Sequence, residues 1–380
     1  MRYAFYDDSL IYGGHEVMTL KAIEYLSYAF SEPLIFYFNP SNKKLGDALH
    51  TLNDEGVIAR EIPDRYRKLQ GIRNRFEKRL QQDLASRFEQ DGVQALVAVQ
   101  GDIELSSRCL IAGRSAGIPV VSYIPMPHTL KDMGARLGRF RDLFNDYLFE
   151  LPNGFITISK ELAAGLRQRG ARCPIEVVYN GVEIIDKDIS AHDAREQFGL
   201  PQTRRCIALV GRLETVQKGQ LLLLEAYAES SFLRENAHVV FAGSGPDEMK
   251  IKDEAERLGI QDQTTLTGWC DPQKLYPGLD CLALASRYEG MPLVMLEALG
   301  HNVPVVAPDR DGMREMLPEY WRYPPQDAGT MRLTLEKVLE DESSKPTAQR
   351  LGEHVRNEMT VSDFQVSFAS ALRKLFASSS

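Results

Sequence analysis

Residues 281–298 read CLALASRYEGMPLVMLEA, and this sequence is the clearest indication of how the second half of the chain folds. Its apolar start, 281–285, predicts a buried strand, and the apolar residues after the glycine predict a helix over 292–299. Gly290 lets a ligand approach the backbone closely, and Pro292 suits the first turn of a helix. A strand, a glycine loop and a helix N-terminus in this order favour a site for an anion such as phosphate.

The same alternation of strand and helix recurs along the whole chain. We predict strands at 3–6, 34–38, 57–61, 95–99, 118–123, 155–158 and 176–178, then at 206–210, 238–242, 264–267, 281–285 and 304–307. The predicted helices include 15–30, 65–88, 160–169, 219–228, 246–258, 292–299 and 329–339. Near-continuous apolar strands that alternate with helices indicate parallel sheets covered on both faces.

A polar segment, 183–205, separates the two series of strands. At 380 residues the chain is too long for one small core. We therefore expect an α/β fold with two doubly wound parallel-sheet (Rossmann-like) domains, 1–185 and 186–360, facing across a cleft. A C-terminal helix, 361–380, should pack back toward the N-terminal domain. Ligands of such sheets bind beyond the carboxyl ends of the strands, so functional residues should follow strands directly.

Composition excludes several classes of protein. A hydrophobic content of 43% and a charged content of 26% are those of a globular protein and exclude a collagen or a disordered tail. A net charge of -8 argues against a general nucleic-acid binder. The N-terminal sequence MRYAFYDDSL has acids where a signal peptide is apolar, and no apolar run approaches the roughly 18 residues of a spanning helix. We expect a cytoplasmic protein.

The five cysteines are scattered and lack the spacing of a zinc or redox motif. We interpret them as small buried apolar side chains in a reducing compartment. No metal-ligand cluster and no cofactor are expected from the sequence.

Charged residues and glycines follow the predicted strands of the second half. Arg212 and Lys218 come after the strand 206–210, and they offer a planar fork and a mobile point charge for phosphate oxygens. Gly243 opens a turn that is a broken GxGxxG, because Glu248 stands where the third glycine belongs. Each feature has a plainer alternative. The cations could be solvated, and the pair Glu289 and Glu297 could be a loop acid and an exposed helical acid.

Several blocks in order are more specific than any one of them. VYNGVE (178–183), GRLETVQKG (211–219), FAGSGP (241–246), LTGW (266–269) and RYEGMPLVMLEALGHNVPVVA (287–307) together resemble the retaining glycosyltransferases of family 4, which have the GT-B fold. The resemblance implies a nucleoside-diphosphate sugar held mainly by the C-terminal domain. It also implies metal-independent transfer, with retention, to a hydroxyl of a glycan or lipid-linked acceptor in cell-surface polysaccharide or glycolipid synthesis.

The resemblance also implies roles for individual residues. Arg212 and Lys218 would bind the donor diphosphate, Glu297 the ribose hydroxyls, and Glu289 would face the donor sugar as a catalytic residue. The remaining donor-binding positions are backbone ones: Gly14, Gly243, Gly290, Met291, Pro292 and Leu293. The chain departs from the family where it has Met291-Pro292 in place of a frequent Phe-Gly, and Asp311-Gly312 in place of a glycine pair.

Two motifs of the first half follow strands. Gly13-Gly14-His15-Glu16 resembles the family's glycine loop near the donor phosphates, and the alternative is a plain turn with a helix cap. His128, in the sequence IPMPHT, matches a family histidine that approaches the donor sugar as a catalytic residue. The alternative for His128 is a structural histidine.

The stretch 65–79 holds seven cations and one acid. Its apolar residues have helical spacing, which favours a helix packed on its own sheet with a solvated basic face. The other interpretation is a patch around Arg73, Arg75 and Arg79 that meets anionic lipid or a lipid-linked acceptor. On that interpretation the enzyme is peripheral on the inner face of the membrane.

Three rival functions stay open. A GT-B phosphorylase would need a lysine-bound pyridoxal cofactor and a longer chain. A sugar-nucleotide epimerase would change the donor without an acceptor. A non-catalytic partner would bind the nucleotide sugar only.

Overall fold

The computed structural model describes residues 1–62, 69–185 and 189–378. The chain forms two compact units: Met1–Asn180 with the segment from Val361 onward, and Gly181–Thr360. The amide of Val182 donates to the carbonyl of Met359 at 2.9 Å, and Val182 pairs with Thr360 in a parallel bridge. These bonds bring the chain into the second unit ahead of the boundary at 185 and 186 expected from the sequence.

The first unit is built on a parallel sheet of seven strands. They are β1 (Tyr3–Asp7), β2 (Leu34–Phe38), β3 (Val57–Glu61), β4 (Ala95–Val99), β5 (Val120–Tyr123), β6 (Gly154–Thr157) and β7 (Ile175–Val177). Their spatial order is β3-β2-β1-β4-β5-β6-β7, so the direction of winding reverses between β1 and β4. All seven predicted strands are present within two residues of their expected bounds. The doubly wound sheet is confirmed.

Helices cover this sheet. They are α1 (Gly14–Ala29), α2 (Lys43–Thr51), α3 (Gln70–Arg73), α4 (Lys78–Gln90), α5 (Ser107–Ser115), α6 (Gly138–Asn145) and α7 (Lys160–Gln168). In one core, α4 and α5 pack on the sheet through Leu84, Phe88, Cys109 and Leu110. Burying a side chain such as Phe88 stabilises the fold by about 1.5–3 kcal/mol.

The prediction of a single helix over 65–88 is wrong. Residues 63–68 lie outside the described residues, and the rest forms α3 and α4 with a turn at 74–77 between them. The break places Asn74 in the interior, where its side-chain amide donates to Ser107 Oγ at 2.9 Å. Phe76 is left on the surface, so the predicted apolar stripe does not pack on the sheet as a whole.

The second unit repeats the architecture with six parallel strands. They are β8 (Arg205–Val210), β9 (Ala237–Ala242), β10 (Thr264–Gly268), β11 (Cys281–Ala283), β12 (Val305–Pro308) and β13 (Arg322–Tyr323), in the order β10-β9-β8-β11-β12-β13. The winding reverses between β8 and β11. The five predicted strands are confirmed, and the two-residue β13 was missed.

The helices of the second unit lie before, between and after these strands. They are α8 (Ala191–Gln197), α9 (Thr215–Lys218), α10 (Gln220–Ala228), α11 (Ser231–Asn236), α12 (Glu248–Arg257), α13 (Pro272–Leu275), α14 (Leu293–Gly300), α15 (Asp311–Met316), α16 (Ala328–Glu340) and α17 (Ser344–Glu358). The helix predicted over 219–228 is α10, and Gly219 separates it from the short α9.

The last helix, α18 (Val361–Ala377), belongs to the first unit and packs against α1. Phe368 meets the ring of Tyr123, and Phe376 meets that of Tyr3. Among the described residues, no helix combines the length and the apolar character that crossing a bilayer requires.

Candidate functional site

The loops after β8 and β11 meet at the point where the winding of the second sheet reverses. These two strands are neighbours, so their carboxyl ends open on the same edge. The amide of Arg287, in the loop after β11, donates to the carbonyl of Gln217, in the segment after β8, at 2.8 Å. A reversal point is where doubly wound sheets bind ligands, so the residues on these two loops form the candidate site.

Glu289 lies at the centre of this site. Its side chain is buried, and Oε1 accepts a hydrogen bond from Ser286 Oγ at 2.9 Å. The same oxygen forms an ion pair with the ammonium of Lys218, whose side chain is partly exposed. The structure therefore joins the predicted sugar-facing acid to a predicted phosphate-binding cation across the two loops. The role of Ser286 was missed from the sequence, although it lies three residues before Glu289.

Arg212 occupies the other end of the loop after β8. Its carbonyl accepts a hydrogen bond from Gln220 Nε2 at 2.9 Å, which fixes the backbone of the loop. Its guanidinium is partly exposed and lies 3.7 Å from the carboxylate of Glu214. Such a weak, solvated pairing leaves a guanidinium able to bind an anionic ligand.

Glycines allow the loops of this edge to touch. Gly243 has φ +147°, and a Cβ there would lie 2.0 Å from the carbonyl oxygen of Gly211. Gly290 accepts a hydrogen bond from the amide of Gly312 at 2.9 Å, which ties the loop after β11 to the N-terminal part of α15. These contacts give Gly243 and Gly290 packing roles, and their contact with a donor stays a prediction.

The helix after this loop starts one residue later than predicted. Pro292, with φ -61° and ψ 126°, is the N-cap of α14, and Leu293 is its first residue. The extended ψ of Pro292 excludes it from the first turn. The first N–H groups of a helix have no partner within it, so this terminus, after the buried Met291, presents donors beside Glu289.

Glu297 lies further along α14, where Tyr276 holds it. The hydroxyl of Tyr276 donates to Glu297 Oε2 at 2.8 Å. Burial raises the pKa of Glu297, and the bond from Tyr276 opposes that rise. Tyr276 was missed because it precedes β11 and carries no motif.

Glu297→Gln should make stability less dependent on pH. A raised pKa in the folded state means that wild type has its full stability below the unfolded-state pKa and loses some as pH rises through the folded-state value. Glutamine does not ionise, so the variant should gain stability relative to wild type over that interval. Urea unfolding at about pH 4 and about pH 8 measures this. The same difference between variant and wild type at both pH values would contradict it, and Glu256→Gln on the exposed side of α12 is the control.

The glycine loop of the first half lies at the reversal point of its own sheet, between β1 and β4. Gly14 is the first residue of α1, and the amide of Gly13 donates to Glu16 Oε2 at 2.7 Å. Glu16 therefore caps the helix, in agreement with the alternative that this motif is a turn with a helix cap. Its other oxygen lies 3.0 Å from His15 Nε2.

A buried cluster surrounds His15. One carboxylate oxygen each of Asp7 and Glu16 and a ring nitrogen of His15 lie within 4.8 Å of one another. Burial lowers the pKa of His15, but the hydrogen bond and charge of Glu16, with the charges of Asp7 and Asp102, outweigh it and raise that pKa overall. Burial raises the pKa of the Asp7 carboxyl. The cluster thus places the imidazole of His15 against the carboxylate of Glu16 in a buried setting.

His128 follows β5, the neighbour of β4. Its carbonyl accepts a hydrogen bond from Arg169 Nη1 at 2.9 Å, and Arg169 Nη2 also binds Asp142 at 3.1 Å. These bonds fix the backbone at a half-buried imidazole. The catalytic role of His128 stays a prediction.

Arg73, Arg75 and Arg79 lie on the surface around the start of α4. The guanidinium of Arg75 stacks on the ring of Tyr147 at 4.2 Å. Arg73 pairs with Glu77 at 3.1 Å.

The region that carries Lys218 and Glu289 is similar to a known protein family. Residues 190–358 match the family model described as Glycosyl transferases group 1. This match covers 169 of the 380 residues and lies within the second unit, so the second unit is similar to group 1 glycosyl transferases. The match agrees with the predicted resemblance over the second unit.

Curated relatives are similar to part of this chain. Uncharacterized glycosyltransferase MJ1607 of Methanocaldococcus jannaschii is 30% identical over 179 residues, which are 44% of this chain and 45% of that protein. Alpha-D-kanosaminyltransferase of Streptomyces kanamyceticus is 29% identical over 188 residues, 46% of this chain and 48% of that protein. The chain thus spans a little under half the length of these relatives.

A solved structure matches beyond residues 190–358. Anabaena Alr3699/HepE, in complex with UDP-glucose, aligns over 98% of this chain and 100% of its own, with a TM-score of 0.78 and 17% sequence identity. At this identity the likeness shows the fold alone. With the two parallel sheets, it confirms GT-B as the fold class.

Proposed function

We propose that this protein is a glycosyltransferase that moves a sugar from a nucleoside-diphosphate sugar to a hydroxyl group of an acceptor. The observation that carries the proposal is the cluster of Lys218, Glu289 and Ser286, with Arg212 after the same strand as Lys218, at the reversal point of the sheet in the unit similar to group 1 glycosyl transferases. The complex of HepE with UDP-glucose, on the same fold, supports a nucleotide sugar as the donor.

The site supplies positive charge for a diphosphate. An ammonium has three N–H donors, so Lys218 can keep its bond to Glu289 and still donate to phosphate oxygens. Arg212 and the N-terminus of α14 add a guanidinium and backbone donors. As the bond to the sugar breaks, negative charge builds on the leaving phosphate, and preorganised donors stabilise it. With these cations in place, we propose that the reaction requires no metal ion.

Glu289 and Glu297 bind different parts of the donor in our proposal. Glu289, whose Oε1 is held by Lys218 and Ser286, accepts hydrogen bonds from the sugar hydroxyls in our proposal. Glu297, held by Tyr276, accepts them from the ribose. Gly14 and His128 of the first unit keep their proposed roles near the phosphates and the sugar.

We propose that the reaction retains the configuration at the anomeric carbon. The family resemblance supports retention by a front-face route, in which the departing phosphate accepts the proton of the acceptor hydroxyl. Cell-surface polysaccharide or glycolipid synthesis is the context that the resemblance favours. Proton NMR of the product's anomeric centre tests the stereochemistry.

A nucleotide panel tests the donor site. One of UDP, GDP, ADP and CMP should raise the melting temperature, because a ligand at about 100 times its Kd stabilises the folded state by about 2.7 kcal/mol. Arg212→Gln should reduce this shift. Arg257→Gln, which changes an exposed arginine on α12, should keep it. If no nucleotide stabilises the protein, the donor-site proposal fails.

Activity with donor and acceptor separates the rival functions. A transferase needs both substrates and yields the glycosylated acceptor. An epimerase would convert the donor alone, and a binding partner would give the thermal shift without turnover.

A further inference from the structure

Two neighbouring segments of the first unit, 69–79 and 136–143, expose large apolar side chains, and we call them the basic apolar surface. In the first segment Phe76 is 78% exposed. In the second, Leu137, Phe140 and Leu143 are 61%, 53% and 71% exposed. Contiguous exposed apolar side chains of this size mark interaction surfaces.

Contacts between the segments make the surface continuous. The hydroxyl of Tyr147, just after α6, donates to the carbonyl of Gly71 at 2.9 Å, and the ring of Tyr147 carries the guanidinium of Arg75. A Cβ on Gly71 would lie 2.1 Å from the side-chain oxygen of Asn145, so α3 and α6 touch directly. The exposed residues therefore belong to one region of the surface.

Buried polar bonds hold the surface from beneath. Gln70 donates to the carboxylate of Asp8, Asn74 to Ser107, and Asn145 to Glu104 at 2.8 Å. The side chains of Gln70, Asn74 and Asn145 are almost fully buried. These bonds anchor the backbone of both segments to the interior of the unit.

The charge of the surface opposes that of the whole chain. Its two segments hold seven arginines and lysines against two acids, in a chain of net charge -8. Both acids have arginine partners: Glu77 pairs with Arg73, and Asp142 with Arg169, each at 3.1 Å. One of the seven cations, Arg141, is paired with the buried Glu104, and the remaining excess of positive charge lies in the same two segments as the apolar side chains.

We propose that the basic apolar surface binds an anionic lipid bilayer. Lipid phosphates complement the cations, and the boundary between headgroups and acyl chains takes up apolar side chains that water solvates poorly. A soluble anion would satisfy the arginines and leave Phe76, Phe140 and Leu143 in water. The proposal concerns attachment alone and does not rest on the transfer reaction.

Flotation of the full chain with vesicles tests the proposal without any nucleotide. Wild type should bind vesicles of equal parts phosphatidylglycerol and phosphatidylcholine, and bind phosphatidylcholine alone at least tenfold more weakly. Raising the salt to about 0.5 M should weaken binding, because it screens charges beyond a few ångströms. In a Phe76→Trp variant, brominated lipid should quench the added fluorescence, which reports contact with the acyl region.

Two sets of variants separate charge from apolar contact. Glutamine at Arg73, Arg75 and Arg79 should weaken binding on the order of a hundredfold. Serine at Phe76, Phe140 and Leu143 should weaken it at least tenfold. The matched controls are glutamine at Lys252, Arg257 and Arg350, and serine at Tyr28, Met249 and Val366, which are exposed elsewhere. Circular dichroism and melting temperature confirm that each variant folds.

Three outcomes would overturn the proposal. One is that anionic vesicles fail to bind at low salt. Another is that the control sets weaken binding as much as the surface sets. The third is that the apolar set converts a dimer to a monomer in sedimentation while vesicle binding persists, which would assign the surface to contact between copies of the chain.

Discussion

Glu289→Gln should lower kcat/KM for sugar transfer by roughly a hundredfold or more. The substitution keeps the shape of the side chain and an oxygen that can accept from Ser286 Oγ and Lys218 Nζ. It removes the negative charge that orients the ammonium and that would bind the hydroxyls of the sugar. Because Lys218 is partly exposed, water can solvate its charge, and the fold should persist.

A surface pair of the same kind is the control for Glu289. Glu248 accepts from Lys252 Nζ at 2.7 Å on the exposed face of α12. Glu248→Gln makes the same chemical change to an acid–lysine pair, so it should leave kcat/KM unchanged. Equal activity of Glu289→Gln and wild type, at equal melting temperature, would remove Glu289 from the reaction.

A double-mutant cycle shows whether the ion pair acts as a unit. Lys218→Met alone should lower activity, since it removes a charge beside the leaving phosphate and leaves Glu289 buried without its cation. If the two side chains work together, combining Lys218→Met with Glu289→Gln should cost less than the sum, by about 0.5–3 kcal/mol. Additive effects would mean that they act separately.

The strands could be predicted because their cause is local. Runs such as 238–242 are apolar at nearly every position, as a strand buried on both faces must be. The missed strand, Arg322–Tyr323, is two residues long and gives no periodic signal. The helix over 65–88 was wrong because helical spacing continues through 74–77, while the bond between Asn74 and Ser107 joins residues distant in sequence.

The sequence singles out the residues of the candidate site, whose roles stay predictions, but it does not reveal their contacts. Arg212, Lys218, Glu289 and Glu297 could be singled out because each follows a strand or occupies the helix next to it, and the family resemblance implies their roles. The pairing of Lys218 with Glu289 joins residues 71 positions apart, and it depends on β8 and β11 being neighbours. Tyr276 reaches Glu297 from before β11, where no rule about strand ends applies.

Gly219→Ala should cost the second unit several kcal/mol of stability, about 3 kcal/mol more than Gly259→Ala. Both glycines have left-handed backbones, with φ +69° and +66°, so alanine meets about the same strain of 1–2 kcal/mol at each. They differ in their surroundings. A Cβ at Gly219 would lie 2.1 Å from the carbonyl oxygen of Ala285, whereas at Gly259 it would have no atom within 4 Å.

The clash at Gly219 has a consequence for the site, because Ala285 directly precedes Ser286 and Gly219 directly follows Lys218. Moving the two backbones apart should separate Lys218 from Glu289, so Gly219→Ala should also weaken the thermal shift given by the nucleotide. Urea unfolding of both variants and wild type measures the stability, and the nucleotide panel measures the site. Equal losses of stability for the two variants would show that the chain from β11 to Ser286 does not press on Gly219. If the nucleotide raises the melting temperature of Gly219→Ala as much as that of wild type, the close approach of these backbones does not set the distance between Lys218 and Glu289.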